Sequence, residues 1–176
     1  MCGLSRQPAA FLDRDGTINV KAPEGDYITA ADQLRLLPGA AEAIARLNAA
    51  GALVIVVSNQ RGIALGRMSA ADVDAVHERL TTLLAPAGAH LDAVFVCPHE
   101  AGECNCRKPA VGLFEQATER FPGIDVTLSV MIGDSASDVE AGRAFGVRTI
   151  RLGEDARDLG EAVEMAIREE LRGATV

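Results

Sequence analysis

Short, continuous apolar runs alternate with helix-forming segments along almost the whole chain. The run LVIVVS at 53–58 is β-branched and uninterrupted, which is typical of a strand buried on both faces. Further strands are predicted at 9–12, 93–97, 129–132 and 149–152. Helices are predicted at 40–50, 70–85, 112–121, 138–145 and 159–171. This alternation indicates an α/β fold in which helices cover a parallel sheet. With 176 residues and no linker-like stretch, we expect one domain over 1–176.

Composition excludes several classes of partner. Seventeen basic and twenty-five acidic side chains give a net charge of −8, which repels nucleic acid and anionic membranes. Aromatic residues make up 3% and Trp is absent, so stacking platforms for single-stranded nucleic acid are missing. No apolar run approaches the ~20 residues of a membrane helix, and the first residues do not read as a signal peptide. We therefore expect a cytoplasmic monomer whose partner is a small molecule.

Three polar residues, Asp13, Ser58 and Asp134, directly follow predicted strands. The carboxyl ends of parallel strands meet at one edge of a sheet, where ligands bind. Asp13 and Asp15 are two residues apart, so both side chains can face one ligand, and Gly16 allows a sharp turn behind them. Asp and Gly are also common in plain surface turns, but three such strand ends in one chain favour a functional site.

Four metal-ligand residue types crowd into the segment 97–106. The spacing Cys97-x-His99-x4-Cys104-x-Cys106 offers three thiolates and one imidazole. Four N and S ligands with no open position are the composition of a closed, structural Zn²⁺ site. The alternative is a set of free thiols beside a solvated imidazole. We expect zinc to order this loop and, through it, the two basic residues that follow Cys106.

Together, the ordered motifs FLDRDGT, VVSN, CRKP and IGDSASD resemble those of the haloacid dehalogenase superfamily of phosphotransferases. The resemblance runs from Phe11 to about Leu152. It implies a haloacid dehalogenase-like Rossmannoid fold, a three-layer α/β/α sandwich around a central parallel sheet, with a minimal cap. It implies an aspartyl-phosphate mechanism, which also makes physical sense for a dianionic substrate. Its catalytic residues are then Asp13 as nucleophile, Asp15 as general acid and base, and Ser58 and Lys108 as ligands of the phosphoryl group.

The same resemblance implies a catalytic Mg²⁺ held by Asp13, Asp134 and the backbone carbonyl of Asp15. Hard oxygen ligands of this kind are the ones Mg²⁺ prefers. Because the net charge is strongly negative, the site must be locally positive, through Mg²⁺, Arg107 and Lys108. Asp138 has two interpretations, as a residue that orients metal-bound water or as a helix cap.

Within the superfamily, DRDGTIN, SNQRGIALG and the zinc loop resemble the zinc-containing phosphatases that act on heptose 1,7-bisphosphate and their relatives that act on histidinol phosphate. The implied substrate contacts are Asn59, Gln60, Arg61, Arg107, Lys21, Glu24 and Ser135. The chain departs from the heptose pattern at Arg61, Leu65 and Ser135, and its short zinc loop is closer to the histidinol branch. Heptose bisphosphate is the first expectation and histidinol phosphate the alternative. A catalytically silent, zinc-stabilised binding module is the alternative from another class.

Overall fold

The computed structural model describes residues 6–173, with side chains to residue 168. The strands are β1 (Ala9–Leu12), β2 (Leu53–Asn59), β3 (Ala93–Cys97), β4 (Val130–Gly133) and β5 (Arg148–Arg151). The helices are α1 (Ala40–Ala49), α2 (Ala70–Leu84), α3 (Gly112–Arg120), α4 (Ala136–Phe145) and α5 (Leu159–Gly173). Short 3-10 turns lie at Ala31–Gln33, Ala85–Ala87 and Val126–Leu128. The predicted elements are therefore present in the predicted order.

The five strands form one parallel sheet in the order β3-β2-β1-β4-β5. β1 lies in the middle, and Phe11 pairs with Ile55 of β2 on one side and Met131 of β4 on the other. The chain runs outwards from β1 in one direction through β2 and β3 and in the other through β4 and β5. Such a reversal leaves a crevice at the carboxyl ends of the central strands.

Each face of the sheet carries its own apolar core, because successive strand residues point to opposite faces. On one face Leu12, Val56 and Ile132 pack with buried residues of α1, α2 and α5. On the other face Phe11 and Ile55 pack with buried residues of α3 and α4. The sheet is thus enclosed between two helical layers, and the predicted α/β/α architecture with a central parallel sheet is confirmed.

The largest departure from the predicted boundaries is at α4, which was expected to begin at Asp138 and begins at Ala136. Ser135 is the N-cap of α4. The Ser135 hydroxyl accepts from the backbone N–H of Asp138, and the Asp138 carboxylate accepts from the backbone N–H of Ser135. Asp138 is therefore the third residue of the helix rather than its start. The strand predicted at 129–132 is shifted by one residue, because Ser129 uses its side chain to bond Ala9 N and Asp125 O beside the sheet.

Between β1 and α1 the chain forms an irregular segment rather than a cap domain, as the minimal cap predicts. Backbone bonds between Val20 N and Arg35 O and between Leu37 N and Ile18 O close this segment at its base. It lies beside the carboxyl ends of the strands. Among the described residues, no helix is long and apolar enough to cross a membrane.

Candidate active site

A cavity of about 280 Å³ opens at the carboxyl ends of β1, β2 and β4. Strand ends and the loops that follow them supply most of its wall, and the irregular segment after β1 supplies the rest. The lining residues are Asp13, Asp15, Lys21, Ala22, Asp26, Tyr27, Ile28, Ser58, Asn59, Arg107, Lys108, Asp134, Ser135, Ser137 and Asp138. Polar side chains from distant parts of the sequence therefore converge where the strand ends predicted them to.

A buried lysine between two carboxylates forms the floor of the cavity. Lys108 is 3% exposed, and its Nζ lies 2.8 Å from Asp13 Oδ1 and 2.5 Å from Asp138 Oδ1. Burial lowers the pKa of Lys108, but the charges of Asp13 and Asp138 outweigh it, so the pKa is raised above its ordinary value. Burial raises the pKa of Asp13 and the positive charge of Lys108 lowers it. The effect of burial is larger, so the pKa of Asp13 is about 6. The lysine therefore remains a cation beside the proposed nucleophile.

The end of β2 fixes the backbone of this lysine. Asn59 Nδ2 donates to Lys108 O at 3.0 Å, and Lys108 N donates to Asn59 Oδ1 at 3.0 Å. Ser58, 1% exposed, lies next to Asn59 and its Oγ accepts a bond of 2.9 Å from Gln60 Nε2. The two hydrogen bonds between the Asn59 side chain and the Lys108 backbone, here called the Asn59 clamp, tie the loop after β3 to the neighbouring strand β2.

Asp15 is held by donors on both of its carboxylate oxygens. Asn19 Nδ2 donates to Oδ1 and Gln60 Nε2 donates to Oδ2, each at 2.9 Å. The Arg14 guanidinium contacts both oxygens as well. Asp15 thus lies on the cavity wall with its orientation set by three different side chains.

Asp134, directly after β4, lies beside the two aspartates that follow β1. Its Oδ2 lies 2.5 Å from Lys21 Nζ. Gly16 has a φ of 89°, and a Cβ there would collide with the Asp134 carboxylate. Oxygens of Asp13, Asp134 and Asp138 all lie within 4.8 Å of one another. Clustered carboxylates packed against a glycine cradle suit a small, hard cation such as Mg²⁺.

The Cys97/His99/Cys104/Cys106 cluster lies at the end of β3. Its donor-atom separations include 3.5 Å for Cys97–Cys104, 3.3 Å for Cys104–Cys106 and 3.3 Å for Cys106 Sγ to His99 Nδ1. A tetrahedral site with Zn–S bonds of about 2.3 Å has edges of about 3.7 Å. The four side chains are therefore gathered closely enough to share one Zn²⁺ ion.

The predicted substrate contacts divide into two groups. Lys21, Asn59, Arg107 and Ser135 line the cavity, and Arg107 Nη1 is buried with no hydrogen-bond partner among the described residues. Gln60, Arg61 and Glu24 do not line it. Gln60 is 1% exposed and lies behind Asp15, Arg61 Nε pairs with Glu100 Oε1 at 2.6 Å, and Glu24 lies exposed in the segment after β1.

Three residues at or beneath the cavity have contacts that the sequence did not indicate. Asp138 acts as the predicted helix cap, because its Oδ2 accepts from Ser135 N at 3.0 Å, but it also binds Lys108, thirty residues earlier. Arg14 is fully buried beneath Asp15. Arg14 lies in the loop after β1, and its place between Asp13 and Asp15 in the sequence was the signal available for it. Tyr27 reaches the wall from an irregular segment that has no periodicity.

Comparison with known proteins places these motifs in a family. The model of the haloacid dehalogenase-like hydrolases matches residues 4–146. The chain belongs to this family. Its membership of the superfamily and its class as a hydrolase, both predicted from the motifs, are confirmed. The fourth cysteine of the chain, Cys2, is not part of the Cys/His cluster. It precedes the matched range and lies outside the described residues.

Named relatives are similar over most of their length. The chain is 43% identical over 159 residues to the D-glycero-beta-D-manno-heptose-1,7-bisphosphate 7-phosphatase of Rhodopseudomonas palustris, covering 85% of this chain and 86% of that one. It is 44% identical over 131 residues to the D-glycero-alpha-D-manno-heptose-1,7-bisphosphate 7-phosphatase of Mycobacterium tuberculosis, covering 74% and 68%.

A solved structure with a similar fold is the D,D-heptose 1,7-bisphosphate phosphatase from B. bronchiseptica, complexed with magnesium and phosphate. The TM-score is 0.83 at 30% identity, and the match covers 93% of this chain and 99% of that one. Magnesium and phosphate are thus ligands of a protein that shares this fold almost from end to end.

Proposed function

We propose that this chain is a Mg²⁺-dependent phosphatase that removes the C7 phosphate of D-glycero-D-manno-heptose 1,7-bisphosphate through an aspartyl-phosphate on Asp13. The observation that carries the proposal is the contact between Asp13 and the buried Lys108, in a cavity that also holds Asp15 and Asp134. Relatives named for this reaction, at 43% and 44% identity, support the substrate. Because these relatives include phosphatases of both the beta and the alpha sugar, we do not assign an anomer to the substrate.

The proposed first step is attack of an Asp13 oxygen on phosphorus. The bond to the leaving oxygen breaks, and that oxygen takes a proton from Asp15. Lys108 would bind a phosphoryl oxygen by charge, and Ser58 would donate its hydroxyl proton to another. In the second step Asp15 takes a proton from a water molecule as the water oxygen attacks phosphorus. The bond between phosphorus and the Asp13 oxygen then breaks, which releases inorganic phosphate and returns Asp13 to its carboxylate form.

The metal ions have separate proposed roles. Asp13, Asp134 and the backbone carbonyl of Asp15 would hold Mg²⁺, which supplies neutralisation of phosphate charge when bound. Cys97, His99, Cys104 and Cys106 would hold a structural Zn²⁺. The proposed Zn²⁺ site borders the core on the α3 and α4 face of the sheet, because Cys97 and Cys106 belong to that core and Cys104 packs against it.

The rest of the substrate would be bound by residues on the cavity wall. The second phosphate of a bisphosphate needs a cation, and the buried, unpartnered Nη1 of Arg107 is suited to it. Lys21, Asn59 and Ser135 offer further polar contacts. Gln60 would act through Asp15 and Ser58 rather than on the sugar, and contacts from Arg61 and Glu24 stay predictions.

Phosphate release from a panel of compounds tests the proposal. The panel includes both anomers of the heptose bisphosphate, histidinol phosphate and unrelated sugar phosphates, each with Mg²⁺ and with chelator. We expect the heptose bisphosphates to give the highest kcat/KM, with loss of activity on chelation. A higher kcat/KM on histidinol phosphate would show that it, and not the heptose bisphosphate, is the substrate. Absence of hydrolysis of every compound would favour the catalytically silent binding module. The cytoplasmic location and monomeric state stay predictions.

A further inference from the structure

Arg14 is the largest fully buried side chain of the described residues, and the proposed chemistry has not yet used it. It lies between Asp13 and Asp15 in sequence, with its guanidinium beneath the loop that follows β1. A buried arginine is costly unless its charge and its donors are matched. The groups that match it therefore indicate what the side chain is for.

The charge of Arg14 is matched by Asp15. Its Nη2 donates to Asp15 Oδ2 at 2.9 Å and to Oδ1 at 3.1 Å, and its Nε donates to Oδ1 at 3.2 Å. The planar guanidinium thus contacts both oxygens of the carboxylate at once. A contact of this kind fixes the plane of the carboxylate as well as its distance, which a lysine at the same place cannot do.

The remaining nitrogen of Arg14 reaches a histidine from a distant helix. Nη1 lies 3.2 Å from Nε2 of His77, in the middle of α2. Because a guanidinium has no acceptor, Nε2 must present its lone pair, so His77 is neutral and carries its proton on Nδ1. His77 therefore holds Arg14 from the side opposite to Asp15.

From this geometry we infer that Arg14 is a positioning residue for Asp15, and that His77 positions Arg14 in turn. The inference rests on the proposed function, in which Asp15 gives its proton to the leaving oxygen as the bond from phosphorus to that oxygen breaks. Arg14 touches neither substrate nor the reacting atoms. It acts by holding the Asp15 carboxylate in one orientation, with Asn19 and Gln60 as the other supports.

A misplaced acid matters most when the leaving group needs a proton. Heptose 1,7-bisphosphate has a poor alkoxide leaving group, whereas p-nitrophenyl phosphate leaves as a stable phenolate. For Arg14→Lys we expect kcat/KM on the sugar to fall roughly 10–10²-fold, since small misplacements of catalytic groups can cost about that much. We expect a fall of less than about 3-fold on the aryl ester, because the benefit of an acid disappears there.

The His77 variants keep the test decisive if Arg14→Lys does not fold. His77→Leu removes the acceptor and should show the same selective loss of kcat/KM on the sugar phosphate, in smaller measure, because kcat/KM reports formation of the aspartyl-phosphate and not its hydrolysis. His77→Gln can still offer an acceptor and should recover most of the activity. His90→Leu, at an exposed histidine before β3, is the matched control and should match the wild type on both substrates.

Equal losses on both substrates, or a His77→Leu enzyme identical to the wild type, would overturn the positioning role while leaving the proposed function intact. A wild-type protein that hydrolyses neither ester with Mg²⁺ present would overturn the proposed function, and this inference with it. Thermal unfolding of each folded variant separates a change in kinetics from a loss of native protein.

Discussion

The cavity and the zinc loop lie at the same edge of the sheet but are assembled in different ways. The charged residues of the cavity, among them Asp13, Lys108 and Asp138, come from positions up to 125 residues apart and meet because strands end there. The zinc cluster draws its four ligands from the ten residues 97–106. The first arrangement is made by the fold, whereas in the second we expect a bound Zn²⁺ ion to order a short polar loop. We therefore expect the two regions to fail differently when perturbed.

The largest effect is expected at the nucleophile. Asp13→Asn removes the attacking carboxylate and keeps its shape, so turnover should fall on the order of 10⁵–10⁶-fold, as for other nucleophile replacements. Circular dichroism and thermal unfolding should stay close to the wild type, because both apolar cores are untouched. Phosphate release under steady-state conditions measures the loss, and substantial activity in a clean preparation would contradict the covalent mechanism.

Asp15 should have the next largest effect. Asp15→Asn removes the general acid and base, so turnover of the sugar phosphate should fall roughly 10²–10⁴-fold. Formation of the phospho-enzyme from an aryl phosphate should suffer less, since its leaving group needs little protonation. Single-turnover kinetics on both esters provide the comparison, and an equal slowing of phosphorylation would argue against the acid role.

Whether a site residue could be predicted from the sequence depends on how far apart in the chain its contacts are. Asp13, Ser58 and Asp134 were found because strand ends converge by a general rule of parallel sheets, and the zinc cluster because its ligands are close in sequence. The contact between Arg14 and His77 spans 63 residues and depends on how α2 packs, which no local pattern specifies. Arg61 was expected to contact the substrate, whereas its guanidinium pairs with Glu100. The fold brings these two residues together across 39 positions, and no local sequence pattern indicates that contact.

The zinc loop should respond more mildly than the catalytic aspartates. Purified protein should hold close to one zinc per chain, and Cys104→Ser should lose it without unfolding the sheet. Lys108 is tied to β2 by the Asn59 clamp, whereas Arg107 has no such tie, so substrate binding through Arg107 should weaken first. We expect KM for the bisphosphate to rise about 10-fold, the value of one charge-assisted hydrogen bond.

Metal analysis by mass spectrometry and kinetics on bisphosphate and monophosphate substrates check this expectation. Ala75→Ser, an exposed change on α2 that also introduces one hydroxyl, offers a control distant in sequence from the cluster. Absence of zinc in protein prepared without chelators would remove the site. Unchanged kinetics in a zinc-free Cys104→Ser enzyme would keep the site and break its link to Arg107.

The smallest effect concerns stability below neutral pH. Burial, followed by the charge of Arg14, lowers the pKa of His77 to about 4 from 6.5. The unfolded chain therefore binds a proton between about pH 6.5 and 4 that the folded chain does not, and stability is lost as the pH falls through that window. Allowing for partial solvent exposure, we expect about 1–2 kcal/mol.

Urea unfolding of the wild type and His77→Gln at pH 7 and pH 4.5 isolates this contribution. The variant should lose less free energy of unfolding between the two pH values. The contribution of Asp13, whose raised pKa acts in the opposite direction, is common to both proteins and cancels. Identical losses in the two proteins would show that His77 takes up its proton in the folded state as readily as in the unfolded chain.

The Asn59 clamp has a consequence for how this enzyme could be altered. Because both backbone groups of Lys108 are bonded to a side chain at the end of β2, the lysine takes its position from the sheet and not from the loop before it. We therefore expect the exposed residues 101–103 to accept changes in length and sequence without moving Lys108, as long as the four Cys and His side chains of the loop are kept. Loop grafting at this place would then change what the cavity admits while the proposed contact between Lys108 and the phosphoryl group is kept.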